Sequence, residues 1–289
     1  MSILVDQSTR VLVQGITGNI GAFQTKVMKE YGTRVVAGVT PGKGGKEVHG
    51  IPVYDFVEEA LEEQDVDAAI SYVPARFSKN AALEAIDSEI PFLVLTAEEV
   101  PSRDMMEIIR HADRHGAMVL GPDTPGLISP GKSKLGVHPN RMVKQGRVGV
   151  LSRSGALSYE ICKTLTENGI GQSTVVGIGG GPLWGLTQVD VLRLFDQDEE
   201  TDAIVLAGEV GGKMEQKAAE YIENEAQKPV VSIIVGRSAP TGAKLGHAGA
   251  IIEGDSGKAK NKINRLEAAG ARIAHNPAQV AEILDQIRG

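Results

Sequence analysis

One histidine stands in a run of small residues. In Lys244-Leu245-Gly246-His247-Ala248-Gly249-Ala250 the immediate neighbours of the imidazole are glycine and alanine, so a bulky group can approach it. A neutral imidazole is a competent nucleophile toward a phosphoryl group. The plain alternative is a hydrogen-bonded loop histidine, and this segment alone leaves both readings open. Glu209 is the second candidate. It follows the apolar run Ala203–Leu206 and precedes Gly211-Gly212. That places it at the carboxyl end of an expected strand, where open α/β sheets bind ligands. From there a carboxylate could fix an imidazole tautomer and raise its nucleophilicity. The alternative for Glu209 is a solvated loop glutamate.

Glycine loops supply a second kind of chemistry. Gly15-Ile16-Thr17-Gly18-Asn19-Ile20-Gly21 follows an apolar run. Its glycines let the backbone turn sharply and come close to a phosphate at a helix N-terminus. The spacing is GxxGxxG rather than the GxGxxG of most NAD sites, and a tight turn that binds nothing would read the same way. The loop Thr40-Pro41-Gly42-Lys43-Gly44-Gly45 follows the next apolar run. NAD enzymes often place an acidic residue there for the ribose hydroxyls, whereas here a lysine stands among glycines. That favours a ligand with an additional phosphate, such as CoA. Ser152-Arg153-Ser154-Gly155-Ala156 offers a natural helix N-cap in Ser154, with or without an anion bound there. Gly177-Ile178-Gly179-Gly180-Gly181-Pro182 leaves room above a strand end. His111 and His115 lie four apart on an expected helix, a spacing that can bind metal. No third ligand or HExxH pattern accompanies them in the sequence, so they are read as surface residues and no metal site is assigned.

The elements that must position these residues alternate. Val11–Val13, Val35–Val39, Ala68–Val73, Phe92–Leu95 and Met118–Leu120 read as buried strands, with helices expected over Gln24–Glu30, Val57–Glu63 and Lys79–Asp87. The stretch from Gly121 to Gly146 is rich in Pro and Gly and reads as an irregular connection. The rhythm then restarts with strands expected at Val148–Leu151, Ser173–Val176, Ala203–Leu206, Val230–Val235 and Arg272–Ala274. Helices are expected at Gly155–Glu167, Thr187–Asp196, Lys213–Gln227 and Ala278–Ile287. Such a βαβ rhythm implies parallel, doubly wound sheets. The reading is two α/β domains, 1–121 and 147–289, joined by the loop region 122–146.

Composition narrows the function classes. The 289 residues are 42% hydrophobic and 23% charged, and the formal net charge is -7, so nothing favours nucleic acid or an anionic membrane surface. A single cysteine, Cys162, permits no internal disulfide and fits a reducing cytoplasm. The opening MSILVDQSTR has no apolar signal core, and no apolar run approaches the ~20 residues of a membrane span.

In chain order the sequence reads GxTGxxG, TPGKGG, YVPA, GPxxPG, SRSG, GQST, GIGG, GEVGG, KPVV and GHAGAI. That order resembles the succinyl-CoA synthetase alpha-subunit family over nearly the whole length. The resemblance implies a Rossmann-like CoA-binding domain followed by a flavodoxin-like ligase domain. It implies that Thr17, Gly18, Asn19 and Ile20 form the loop over the CoA phosphates and that Lys43 contacts the phosphate-bearing nucleotide end. Thr96, Ala97 and Glu98 match a further CoA-contacting segment. His247 is implied as the phosphorylated residue, supported by Glu209, with the helix start at Ser154 and Gly155 receiving the phosphoryl group. Tyr159 matches a substrate-associated position.

The same resemblance implies a nucleoside-triphosphate-dependent acid–CoA ligase in the cytoplasm, with CoA as a substrate. ATP or GTP with Mg would sit on a separate beta subunit with an ATP-grasp fold, and no metal on this chain. Three segments depart from the usual family pattern. Asp123 and Thr124 stand in GPDTPG where members read GPNCPG, and Gly181 stands where members carry aspartate. Leu95-Thr96-Ala97-Glu98-Glu99 replaces ITEG. The first two put the acid in question, so a ligase for malate or citrate stays open beside succinate, as does a non-catalytic CoA-binding regulatory paralogue. An NAD dehydrogenase is disfavoured by Lys43.

Overall fold

The computed structural model describes residues 2–240, 247, 249–252 and 254–288. Lys244–Gly246 and Ala248, which the sequence reading used as small or basic neighbours of His247, lie outside the described residues. The chain divides into two compact units. The first comprises Leu4–His138 with Leu183–Leu186, and the second Met1–Ile3, Pro139–Pro182 and Thr187–Gly289.

In the first unit the elements are β1 (Arg10–Gln14), α1 (Asn19–Tyr31), β2 (Arg34–Val39), β3 (Glu47–Val48), β4 (Ile51–Tyr54), α2 (Val57–Glu63), β5 (Ala68–Ser71), α3 (Ala75–Asp87), β6 (Phe92–Leu95), α4 (Ser102–His115) and β7 (Met118–Leu120). A hairpin of β8 (Gly126–Ser129) and β9 (Ser133–Gly136) follows. The strand order is β3-β4-β2-β1-β5-β6-β7, parallel except for the short β3. The central strands are buried on both faces because helices cover them, which is why they read as unbroken apolar runs rather than as alternation. Leu12, Ile86, Leu93 and Ile108 pack in this core. Helices α1 and α4 stop at Gly32 and Gly116, both in the left-handed region that glycine adopts without steric cost.

The second unit runs β10 (Gln145–Ser152), α5 (Gly155–Glu167), β11 (Gln172–Gly177), α6 (Gln188–Gln197), β12 (Ala203–Gly208), α7 (Met214–Asn224), β13 (Val230–Ile234), α8 (Ala259–Ala268), β14 (Arg272–Ala274) and α9 (Pro277–Arg288). Its five parallel strands lie in the order β14-β13-β12-β10-β11, the flavodoxin arrangement. Helix α6 starts with a capping box: Thr187 Oγ1 accepts from the Asp190 amide, and Asp190 accepts from the Thr187 amide at 2.8 Å.

Two sequence expectations change. The stretch 122–146, read as irregular, contains the β8–β9 hairpin and the start of β10. Its glycines are there because the hairpin strands touch: a Cβ on Gly126 would stand 1.9 Å from the Leu135 carbonyl oxygen. Helix α8 is an element that the sequence did not suggest.

Candidate functional site

Strand order in the second unit reverses between β10 and β12, so the loops after these strands part and leave a crevice at their carboxyl ends. The loop after β10 is Arg153-Ser154, and the residue after β12 is Glu209. His247 meets Glu209 there, with Nδ1 2.8 Å from Oε2. A carboxylate can only accept, so the shared proton belongs on Nδ1 and the basic lone pair on Nε2, the position suited to attack a phosphorus atom. The His247 side chain is 30% exposed and that of Glu209 only 8%, so the imidazole faces outward while its partner is held from behind. This replaces the solvated-glutamate reading of Glu209.

Behind the pair lies a set of charges that the sequence reading missed. Arg153 Nη2 stands 3.1 Å from Glu209 Oε1, and Arg153 Nη1 stands 3.4 Å from Glu215 Oε1. Lys262 Nζ donates to the Glu209 carbonyl at 2.9 Å and also reaches the Gly211 carbonyl and Glu215 Oε2. Those three acceptors match the three donors of an ammonium group. Arg153, Glu215 and Lys262 are all essentially inaccessible to solvent. Burial pulls the Lys262 pKa below the ordinary lysine value, while Glu215 beside it works in the opposite direction. Two carboxylates balance two cations, which is the condition for keeping charge out of water. No periodicity announced this set, because its members come from the loops after β10 and β12 and from α7 and α8, far apart in the chain.

The third glycine cluster finds its occupant. An ideal Cβ on Gly180 would lie 2.3 Å from His247 Cγ and 2.5 Å from Cδ2, so the imidazole packs against bare backbone. Gly249 N donates to the Gly180 carbonyl at 3.0 Å, and a Cβ on Gly249 would meet the Gly181 carbonyl at 2.6 Å. Nearby, Ser154 caps α5: its Oγ accepts from Leu157 N at 3.4 Å, and Ser152 Oγ donates to its carbonyl at 2.7 Å. Gly155 opens the helix, whose first-turn amides have no intrahelical acceptors. Tyr159, one turn on, is half-buried, and burial raises its hydroxyl pKa.

In the first unit the remaining expected site residues follow β1, β2 and β6 at the carboxyl edge of the sheet. Gly18 N donates to the Gly15 carbonyl at 3.0 Å, and α1 starts at Asn19 without a side-chain cap. A Cβ on Gly21 would lie 2.2 Å from the Gly15 oxygen, so the third glycine is required for the helix to close on the loop. Thr17 N approaches Thr40 Oγ1 at 3.4 Å, and Ile20 is exposed. Lys43 is exposed, and its amide and that of Gly44 both donate to Asp55 Oδ1 at 2.8 Å. The loop therefore does have a carboxylate at hand, delivered from the end of β4. Backbone amides hold its pKa below the usual carboxylate range and occupy one of its oxygens. Thr96 Oγ1 donates to the Ser71 carbonyl at 2.7 Å, the Ala97 carbonyl accepts from Asp123 N at 2.9 Å, and Glu98 is exposed. Asp123 has φ 57°, and buried Thr124 accepts from Gly126 N at 2.8 Å through Oγ1. Asp123, Thr124 and Trp184 belong to the first unit.

Comparison with known proteins gives a consistent picture. The CoA binding domain family matches residues 6–99, and the CoA-ligase family matches residues 151–272. The chain is 56% identical to "Succinate--CoA ligase [ADP-forming] subunit alpha 1" of Archaeoglobus fulgidus over 98% of this chain and 97% of the relative. It is 53% identical to the alpha subunit of the same name from Methanothermobacter thermautotrophicus, over 99% of this chain and 96% of the relative. Against the Aquifex aeolicus alpha subunit the identity is 50%, over 99% of this chain and 95% of the relative. Among solved structures, the ATP citrate lyase of Methanothrix soehngenii, in complex with citrate and coenzyme A, superposes with a TM-score of 0.88 at 23% identity. It covers 99% of this chain, which spans only 52% of that longer chain, so the likeness concerns the fold alone.

Proposed function

Because the chain belongs to the succinate–CoA ligase alpha-subunit family, we propose that it is the CoA-binding, phosphoryl-carrying subunit of an ADP-forming acid–CoA ligase. The observation that carries the reading is the His247–Glu209–Arg153 relay at the strand-order reversal, with a glycine floor beneath the imidazole. In this reading the nucleotide binds, with Mg, on a partner subunit of ATP-grasp fold. The Nε2 lone pair of His247 attacks the γ-phosphorus, the P–O bond to the leaving ADP breaks, and phosphohistidine forms. Glu209 accepts the hydrogen bond from Nδ1 as the ring gains positive character, and Arg153 holds Glu209 in place.

The acid carboxylate then takes the phosphoryl group from nitrogen and becomes an acyl phosphate. Amides at the Ser154–Gly155 helix start stabilise the transferring phosphoryl group without reorganising. CoA, held in the first unit by the Thr17–Ile20 loop, Lys43 and Thr96–Glu98, attacks the acyl carbon as thiolate and expels inorganic phosphate. Each step exchanges one bond for another, so a single difficult condensation becomes three displacements.

Succinate is the first expectation for the acid. Asp123 and Gly181 depart from the family pattern by one carboxylate each, which favours testing malate and citrate beside it. The chain reconstituted with its partner is assayed for acyl-CoA formation over an acid panel, and for acid-labile, base-stable label on the chain from γ-labelled ATP. Label and activity are both expected to vanish in His247→Asn. Undiminished label in that variant overturns the assignment, and robust acyl-CoA synthesis by the isolated chain overturns the partner requirement.

A further inference from the structure

His111 and His115 carry no third ligand in the sequence, but the fold brings one. Helices α3 and α4 follow the adjacent parallel strands β5 and β6, so they run side by side in the same direction and end together. Asp87 is the last residue of α3, and His115 the last of α4. His111 Nε2 stands 2.5 Å from Asp87 Oδ1, and His115 Nδ1 stands 4.0 Å from the same oxygen. The two imidazoles meet edge to face with centroids 4.3 Å apart. One donor atom from each of the three residues falls within 4.8 Å of the others.

We propose that Asp87, His111 and His115 form a binding site for a divalent transition metal of the zinc class, which staples the carboxyl ends of α3 and α4. Two nitrogens and one carboxylate oxygen are the donors that such ions prefer, and that Mg²⁺ and Ca²⁺ do not. Metal–ligand bonds of about 2.0–2.2 Å at a tetrahedral centre put the donors roughly 3.3 Å apart. The two N···O separations of 2.5 and 4.0 Å bracket that figure. Electrostatics point the same way. Both helices present the negative ends of their dipoles here, where a cation is stabilised.

Binding replaces the His111–Asp87 hydrogen bond by two bonds to the metal, with the single ring proton of His111 carried on Nδ1 instead of Nε2. The side chains are 25% (His111), 39% (His115) and 58% (Asp87) exposed, so water can fill the remaining position. The other half of the helix pair is already tied, by Lys79 to Glu107 at 3.0 Å and to Asp104 at 3.4 Å. A metal at the carboxyl end would complete the clamp. This site is independent of the ligase reading, since none of its residues belongs to the proposed phosphoryl or CoA machinery.

The test uses the full chain, stripped with chelator and titrated with ZnSO₄ by calorimetry and by thermal unfolding, with CoCl₂ as an optical probe. One tight site is expected, together with a saturable rise in melting temperature that Mg²⁺ does not reproduce and d–d bands of a nitrogen- and oxygen-ligated Co²⁺. His115→Gln and Asp87→Asn should each weaken zinc by more than about tenfold while leaving the metal-free melting temperature near that of the parent. If His111→Ala destabilises the chain, the His115→Gln result still decides. Zinc affinity unchanged in His115→Gln, or no saturable binding by the parent chain at micromolar zinc, overturns the proposal.

Discussion

Replacing Gly180 by alanine puts a methyl group where the His247 ring lies. The Cβ would stand 2.3, 2.5 and 2.8 Å from Cγ, Cδ2 and Cβ of the histidine. Carbon atoms settle at about 3.5–4.0 Å, so the imidazole must retreat by more than about 1 Å. A retreat of that size takes the 2.8 Å contact between Nδ1 and Glu209 out of hydrogen-bond range. Misplacing a reacting group by about 1 Å costs roughly a hundredfold, which at 1.36 kcal/mol per tenfold is about 2.7 kcal/mol of barrier. Gly180 does not use the left-handed backbone region, so alanine introduces no conformational strain of its own and the effect reports on the ring. The assay is rapid-quench formation of phosphohistidine from γ-labelled ATP by the reconstituted pair, with CoA affinity as an internal control. A hundredfold slower labelling with unchanged CoA binding is expected. A rate within about threefold of the parent would refute the idea that bare backbone at Gly180 positions the nucleophile.

Four further outcomes follow from the same geometry. Glu209→Gln keeps the shape but loses the charge facing Arg153 and His247, and should slow labelling by about 10–100-fold without abolishing it. Lys43→Met should cost CoA about 1.5–3 kcal/mol and dephospho-CoA almost nothing, read by calorimetry, since only CoA carries the extra phosphate. Lys262→Met removes one of the two cations facing the Glu209–Glu215 pair and leaves two carbonyls without their donor, so a buried negative charge is uncompensated and the second unit should lose about 3–5 kcal/mol in urea unfolding. His138 is fully buried, and burial, aided by the charge of Lys134, pulls its pKa from 6.5 down to about 3. Between those values only the unfolded chain takes up the proton, so the stability is complete above pH 6.5. Acidification through that window should remove up to about 1.4 kcal/mol per pH unit, a slope that His138→Gln should flatten in pH-dependent denaturant titrations.

The parallel strands were legible because burial on both faces writes a continuous apolar run, as in Phe92–Leu95 and Ala203–Gly208. The apolar pattern places helix starts too late where the first turn meets solvent, at Gln24 rather than Asn19 in α1. Ile20 and Phe23 of α1 are exposed apolar residues, which break the amphipathic pattern that marks a helix. Helix α8, AKNKINRLEA, is too polar to announce itself, and one of its buried positions is the charged Lys262. The β8–β9 hairpin was hidden by the glycines that allow its strands to touch. In the candidate site, His247 and Glu209 stood out by residue type and local spacing. Their supports did not, because an ion pair between Arg153 and Glu215 leaves no local trace in either segment. Asp87 was likewise invisible as a third donor beside His111 and His115, since only the parallel run of α3 and α4 brings it there.

The balanced set of Arg153, Glu209, Glu215 and Lys262 has a consequence for how this protein can change over time. Altering any one member alone strands an opposite charge in the interior, which selection removes before a second substitution can compensate. The four positions are therefore expected to be inherited as a block, with strong epistasis among them. The glycine-rich loop 177–182 of the same unit contributes no member to that set. Under the proposed reading, that loop can vary by single steps while the four buried charges stay the same.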